Sequence, residues 1–196
     1  MEEKDFALEL KHSLETCLPH SFYHKIPDQI YNPNARFNPD KMYDAYVTYK
    51  GCHTSMEYKL HKNKNAFPFS SISKLQQNAL RDVAESDCNA YLVLGVRYDR
   101  VKEIYFIPIK DFIVLREKIE NTGRKSLPLK WLGGYNEKCK WIGKGRWALD
   151  PVLFIYGKGI YKQQEGDSSQ RIYGACALDK YGRSEEVRTT YPKTKD

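Results

Sequence analysis

The chain has 196 residues, of which 41% are hydrophobic and 13% aromatic, and it carries a formal net charge of +7. That length suits one ordinary domain with a sizeable core, and the apolar content excludes wholesale disorder. The charge favours a polyanionic partner, nucleic acid or an anionic membrane surface. No stretch approaches the roughly 18 consecutive apolar residues of a membrane span. The start Met1-Glu2-Glu3-Lys4-Asp5 has none of the basic and apolar pattern of a signal peptide. Five scattered cysteines (Cys17, Cys52, Cys88, Cys139, Cys176) form no CxxC pair and read as reduced thiols. A cytoplasmic location is expected.

In chain order, residues 3–18 read as an amphipathic helix, with Phe6, Leu8, Leu10, Leu14 and Leu18 as its apolar positions and Pro19 after it. Ser21 to Ile26 reads as a strand. Residues 27–40, with Pro27, Pro33 and Pro39, read as an irregular connection. Met42–Tyr49 and Cys52–Leu60 are both strand-like and are joined at Lys50-Gly51, where glycine suits a tight hairpin turn. A polar loop over 61–66 follows. A helix capped by Ser70 or Ser71 then runs to about Glu85, with Ile72, Leu75, Ala79, Leu80 and Val83 on its buried face. Tyr91–Arg97 and Glu103–Ile107 read as strands, and Lys110–Ile119 as a helix. The stretch 123–147 holds seven basic residues against one acid, together with all three tryptophans. An apolar segment at Val152–Tyr156 precedes a polar remainder, in which 163–170 and the last ten residues read as mobile. The pattern is α/β, with an expected boundary between a domain over 1–156 and a partly ordered extension over 157–196.

The hairpin carries the chemistry. With Lys50-Gly51 as the turn, opposed residues have numbers summing to 101, so Asp44 stands across from Glu57. Opposed side chains share a face, with Cβ atoms roughly 4.5–5.5 Å apart. Two carboxylates at that spacing repel unless a cation lies between them, and magnesium commonly takes one or two carboxylates plus water and phosphate. Lys59, two residues beyond Glu57, lies on the same strand face and brings an ammonium beside such an ion. Taken by itself, the trio reads more simply as a solvated cross-strand ion cluster, because acid-x-lysine strings are common and the spacing alone is a weak signal.

The surroundings add an ordered pattern: Tyr49-Lys50-Gly51, Glu57-Tyr58-Lys59, Phe67-Pro68-Phe69 and Gln76. Phe6-Ala7-Leu8-Glu9, His24-Lys25-Ile26-Pro27 and Gly123-Arg124-Lys125-Ser126-Leu127-Pro128 flank it. Together these resemble the RecU-type Holliday junction resolvases of the PD-(D/E)xK nuclease superfamily, from about residue 4 to about 130. The resemblance implies a restriction-endonuclease-like mixed central sheet flanked by helices. It also implies metal-dependent cleavage of branched, four-way DNA by a homodimer, with Mg2+ as cofactor and Mn2+ as a substitute. It assigns Asp44, Glu57 and the Tyr58 carbonyl to the metal, Lys59 to the attacking water, Gln76 to that water or the phosphate, and Glu9 to an outer or second-metal position. The connection 27–43 is shorter than the family's protruding stalk, so a nuclease of the same superfamily with a different substrate is the first alternative. A non-catalytic DNA-binding scaffold is the second.

For DNA contact, Lys62 and Lys64 follow the acid-x-lysine strand directly, and Lys25, Arg124 and Lys125 are further candidates. The tryptophans are expected to be packing anchors. The literal Pro27-Asp28 lies outside the hairpin and is set aside in favour of Asp44.

Overall fold

The computed structural model describes residues 2–27 and 41–155, all within one compact unit spanning Met1–Tyr161. The readings made for 28–40 and for 156–196 therefore lie outside the described residues. The chain runs α1 (Glu3–Cys17), β1 (Phe22–Lys25), β2 (Ala45–Tyr49), β3 (Cys52–His61), β4 (Ala66–Pro68), α2 (Lys74–Glu85), β5 (Asn89–Tyr98) and β6 (Val101–Pro108). It continues through α3 (Ile109–Glu120), β7 (Ser126–Pro128), β8 (Cys139–Gly143) and β9 (Arg146–Leu149).

Five strands form one mixed sheet in the order β1-β2-β3-β5-β6. β3 and β5 are parallel, and the other neighbours are antiparallel. The parallel step needs a crossover, which β4 and α2 supply. This is the mixed α/β sheet flanked by helices that the sequence led us to expect. β4 pairs with β7, and β8 with β9, in two small ribbons.

Side-chain alternation divides the core into two layers. On one face Phe6, Leu10 and Leu14 of α1 pack with Val47, Met56, Tyr58, Val93 and Phe106 and with Trp147 of β9. On the other, Leu80 of α2 and Phe112 of α3 pack with Leu92, Leu94, Ile107 and Leu127. β5 lies in the middle, buried from Asn89 to Val96, and so reads as a continuous apolar run rather than an alternating one. Gly95 is where α1 comes closest, since a Cβ there would stand 2.7 Å from the Phe6 ring.

Several boundaries differ from the sequence reading. β2 begins at Ala45 rather than Met42. Ser70 and Ser71 belong to a single 3-10 turn, and Ser73 caps α2. Leu8 and Leu75, expected in the core, are exposed. The apolar segment near 152 is a 3-10 turn over Pro151–Phe154, and β8–β9 is a hairpin the sequence reading did not identify. Among the described residues no helix is long and apolar enough to cross a membrane.

Candidate active site

The turn at 50–51 fixes the register. Lys50 and Gly51 both have positive φ (49° and 80°), as a two-residue primed turn requires. The β2–β3 partners from Tyr49↔Cys52 to Ala45↔Met56 follow the expected pairing. At Asp44 the regular ladder stops. Its backbone N–H donates to the Met56 carbonyl (3.0 Å), and its own carbonyl accepts from Ile26 (2.8 Å). Its carboxylate Oδ2 accepts from the Tyr58 backbone N–H at 2.8 Å. The side chain thus takes over a place that a strand carbonyl would hold, and Asp44 is anchored on β3 itself.

Glu57 and Lys59 alternate with Met56 and Tyr58 along β3. Their partners on β5 are Leu92 and Leu94, which belong to the layer under α2. Glu57 is fully buried. Its Oε1 accepts from Lys59 Nζ and from Gln76 Nε2, each at 2.6 Å. Its Oε2 is buried without a hydrogen-bond partner. Buried carboxylate oxygens are rarely left bare, because desolvation of the charge is then uncompensated.

Gln76 is aimed by local sequence. Ser73 Oγ accepts from Gln76 N–H (3.1 Å), and Gln76 Oε1 accepts from Ser73 N–H (3.0 Å). This is a reciprocal capping box. With Oε1 so occupied, the amide NH2 is the end turned toward Glu57. The Ser-x-x-Gln spacing was visible in the sequence, although the cap was assigned to Ser70 or Ser71.

Burial, then the negative charge of Asp44, pushes the Glu57 carboxyl up to about 7, against the opposing pull of Lys59. Burial alone would lower the Lys59 ammonium, but Glu57, with Glu3 and Asp44, leaves it raised. Because the folded state holds the Glu57 proton more tightly than the unfolded chain, its stabilisation is complete below about pH 4.5 and is lost as pH rises through about 7. We expect the metal-free protein to lose about 3 kcal/mol over that window. Thermal melts in chelator from pH 5 to 8 should show the decline, and Glu57→Gln should flatten it. An equal slope in both proteins contradicts the assignment.

Glu9 is not brought to this cluster. It is buried on α1 and pairs with Arg97. Arg97 alternates with Val96 and so lies on the α1 face of β5, with its guanidinium 5.0 Å from the ring centroids of both Trp141 and Trp147. The α1 carboxylate that approaches the cluster is Glu3, 4.0 Å from Lys59 Nζ. Sequence reading also missed Lys41, whose Nζ lies 2.6 Å from Asp44 Oδ1; it belongs to none of the motif elements.

The proposed DNA-contact residues Lys25, Lys62, Lys64, Arg124 and Lys125 are all exposed. β4 pairs antiparallel with β7, so the loop 62–65 lies at the Leu129 end of that ribbon and Arg124-Lys125 at its Phe69 end, where Phe69 N–H donates to the Lys125 carbonyl at 3.1 Å. The loop 62–65 leaves β3 just past Lys59 and runs into the ribbon that Arg124 and Lys125 precede. Trp147 is a buried anchor, Trp141 packs edge-on against it, and Trp131 is partly exposed.

The oxygens that could serve a metal here are those of the Asp44 and Glu57 carboxylates and the backbone carbonyl of Tyr58. Among the described residues no group of three or more His, Cys, Asp or Glu side chains is placed to hold a metal. All-oxygen donation from one or two carboxylates suits magnesium or manganese and does not suit zinc. The bare Glu57 oxygen beside a second carboxylate fits such an ion.

An aspartate at the head of one strand beside an acid-x-lysine on its hairpin partner, within a mixed sheet, is the arrangement of the PD-(D/E)xK class. Within that class the chain belongs to the RecU (Recombination protein U) family, whose model matches residues 20–146. It is similar to the Holliday junction resolvase RecU of Listeria welshimeri, at 26% identity over 95 residues, 48% of this chain and 46% of that protein. It is likewise similar to the same-named protein of a Geobacillus species, at 26% over 101 residues, 52% of this chain and 49% of that one. The chain spans about half the length of the curated relatives it matches. Among solved structures, Hjc, a Holliday junction resolvase of Archaeoglobus fulgidus, superposes with a TM-score of 0.39 at 17% identity, over 55% of this chain and 77% of Hjc.

Proposed function

We propose that the protein is a metal-dependent DNA endonuclease that resolves four-way junctions, acting as a homodimer through paired phosphodiester hydrolysis, with Mg2+ as its ion and Mn2+ able to replace it. The observation that carries this reading is the buried Glu57 carboxylate with one oxygen held by Lys59 and Gln76 and the other bare. Such a group is poorly suited to stabilising the fold and well suited to receiving a cation.

Asp44, Glu57 and the Tyr58 carbonyl would hold the ion. When bound, it polarises a phosphoryl oxygen and eases deprotonation of a neighbouring water. Asp44 is kept in place by its bond from Tyr58 N–H, and Gln76 keeps the Glu57 carboxylate from rotating. Lys59, anchored on Glu57, holds the attacking water and offsets charge that builds on the phosphate. Lys62 and Lys64, with Arg124 and Lys125 at the other end of the β4–β7 ribbon, track the backbone of the strand beyond the scissile bond, and Lys25 adds a contact from the sheet edge. The described domain is read as the nuclease unit, and the cell's cytoplasm as its place of work.

The test is incubation with labelled four-way junction, linear duplex and flap in magnesium. Symmetric nicks confined to the junction are expected. Equal cutting of linear duplex would reassign the protein to a sibling PD-(D/E)xK nuclease, the alternative favoured by the short 27–43 connection. Binding without any cutting would make it a scaffold.

A further inference from the structure

The two carboxylates of the site are not in equivalent states. Glu57 offers a bare oxygen, whereas both oxygens of Asp44 are engaged: Oδ2 by Tyr58 N–H at 2.8 Å and Oδ1 by the Lys41 ammonium at 2.6 Å. The Lys41–Asp44 pair is not a loose surface contact, since the side chains are only 18% and 13% exposed. An oxygen has more than one lone pair, but an ammonium and a divalent ion on the same oxygen repel each other strongly.

We infer that Lys41 is a displaceable counter-ion for Asp44, occupying a carboxylate oxygen for which a divalent ion would compete. The inference rests on the proposed metal site and deepens it. Lys41 relieves the Asp44–Glu57 repulsion while no ion is present, and it must swing away for Asp44 to become a ligand through that oxygen. Being three residues from Asp44, the ammonium stays beside the site after displacement. Its cost to metal binding is therefore paid by every ion that enters, whatever the DNA substrate.

The experiment is calorimetric titration of the full chain with Mn2+, without DNA, at neutral pH. Lys41→Met is expected to tighten binding about tenfold, as removal of a competing, partly buried ion pair would. Lys41→Gln should shift affinity in the same direction, and Lys41→Arg, which keeps the charge, should stay near the parent value. Unchanged or weaker binding in both neutral variants overturns the inference while leaving the metal site standing, provided that Asp44→Asn weakens binding in the same assay. If the parent protein does not bind Mn2+, or if Asp44→Asn binds as the parent does, the site reading itself fails and the inference falls with it.

Discussion

Replacing Glu57 by glutamine is expected to lower cleavage roughly a thousandfold or more while raising the melting temperature of the metal-free protein at pH 8. The two effects have one origin. Glutamine keeps the shape of the side chain and an oxygen that can accept from Lys59 and Gln76, so the hydrogen bonds at Oε1 survive. It removes the negative charge that burial and Asp44 both oppose, the same opposition that pushes the Glu57 carboxyl to about 7. A residue whose neutral isostere stabilises the fold is retained for something other than stability. Asp44→Asn should lose cleavage comparably while DNA binding persists, because neither substitution touches the basic loops. Parallel measurement of nicking, DNA affinity and thermal melting checks all three. A stable Glu57→Gln protein that still cuts at near-parental rate would remove Glu57 from the chemistry.

The second large effect concerns Glu9. Glu9→Gln is expected to destabilise the protein by about 3 kcal/mol, since it leaves the Arg97 guanidinium buried without its carboxylate. Arg97 Nε and Nη1 already lack hydrogen-bond partners, the guanidinium lies 5.0 Å from the ring centroids of Trp141 and Trp147, and Glu9 is the acid that offsets its charge among the described residues. The double variant Glu9→Gln, Arg97→Leu should recover part of the loss, because both charges are then gone. Affinity for Mn2+ should be little changed throughout. That outcome differs from the one implied by the family resemblance, which puts Glu9 near the metal. Chemical denaturation and metal titration of the three proteins decide between them: a stable Glu9→Gln protein with weakened metal binding would restore the carboxylate to the site.

How much was legible in the sequence follows from the range of the interactions involved. The β2–β3 hairpin was readable because its register is set locally, by two residues that accept positive φ at the turn and by alternating side chains on either side. The trio Asp44, Glu57 and Lys59 inherits that locality, as all of it lies within sixteen residues, from Asp44 to Lys59. Gln76 came from the family resemblance rather than from spacing, although the reason for its aim, the capping box with Ser73, is local. The pairing of Glu9 with Arg97 was not legible because the two lie 88 residues apart on different elements, where no sequence pattern joins them. Lys41 was missed because nothing distinguishes one lysine before an irregular strand start until the fold turns it onto Asp44. The β8–β9 hairpin went unread for a different reason. Its signal was present in Gly143-Lys144-Gly145, all at positive φ, between Trp141 and Trp147, but the density of basic residues suggested a surface tract rather than a ribbon packed on α1. Leu8 and Leu75 show the limit of periodicity: a helix covers only part of its circumference with core, and an apolar residue at the margin can face solvent.

A nuclease site of this kind requires a divalent ion at the bare oxygen of Glu57. Diffraction from crystals grown with Mn2+, recorded where manganese scatters anomalously, tests this directly. The expected result is one strong anomalous peak bonded to Glu57 Oε2 and Asp44, with Lys41 turned away from the carboxylate. A site without such a peak at saturating Mn2+, or an ion bound elsewhere with the Lys41–Asp44 pair intact, would contradict it.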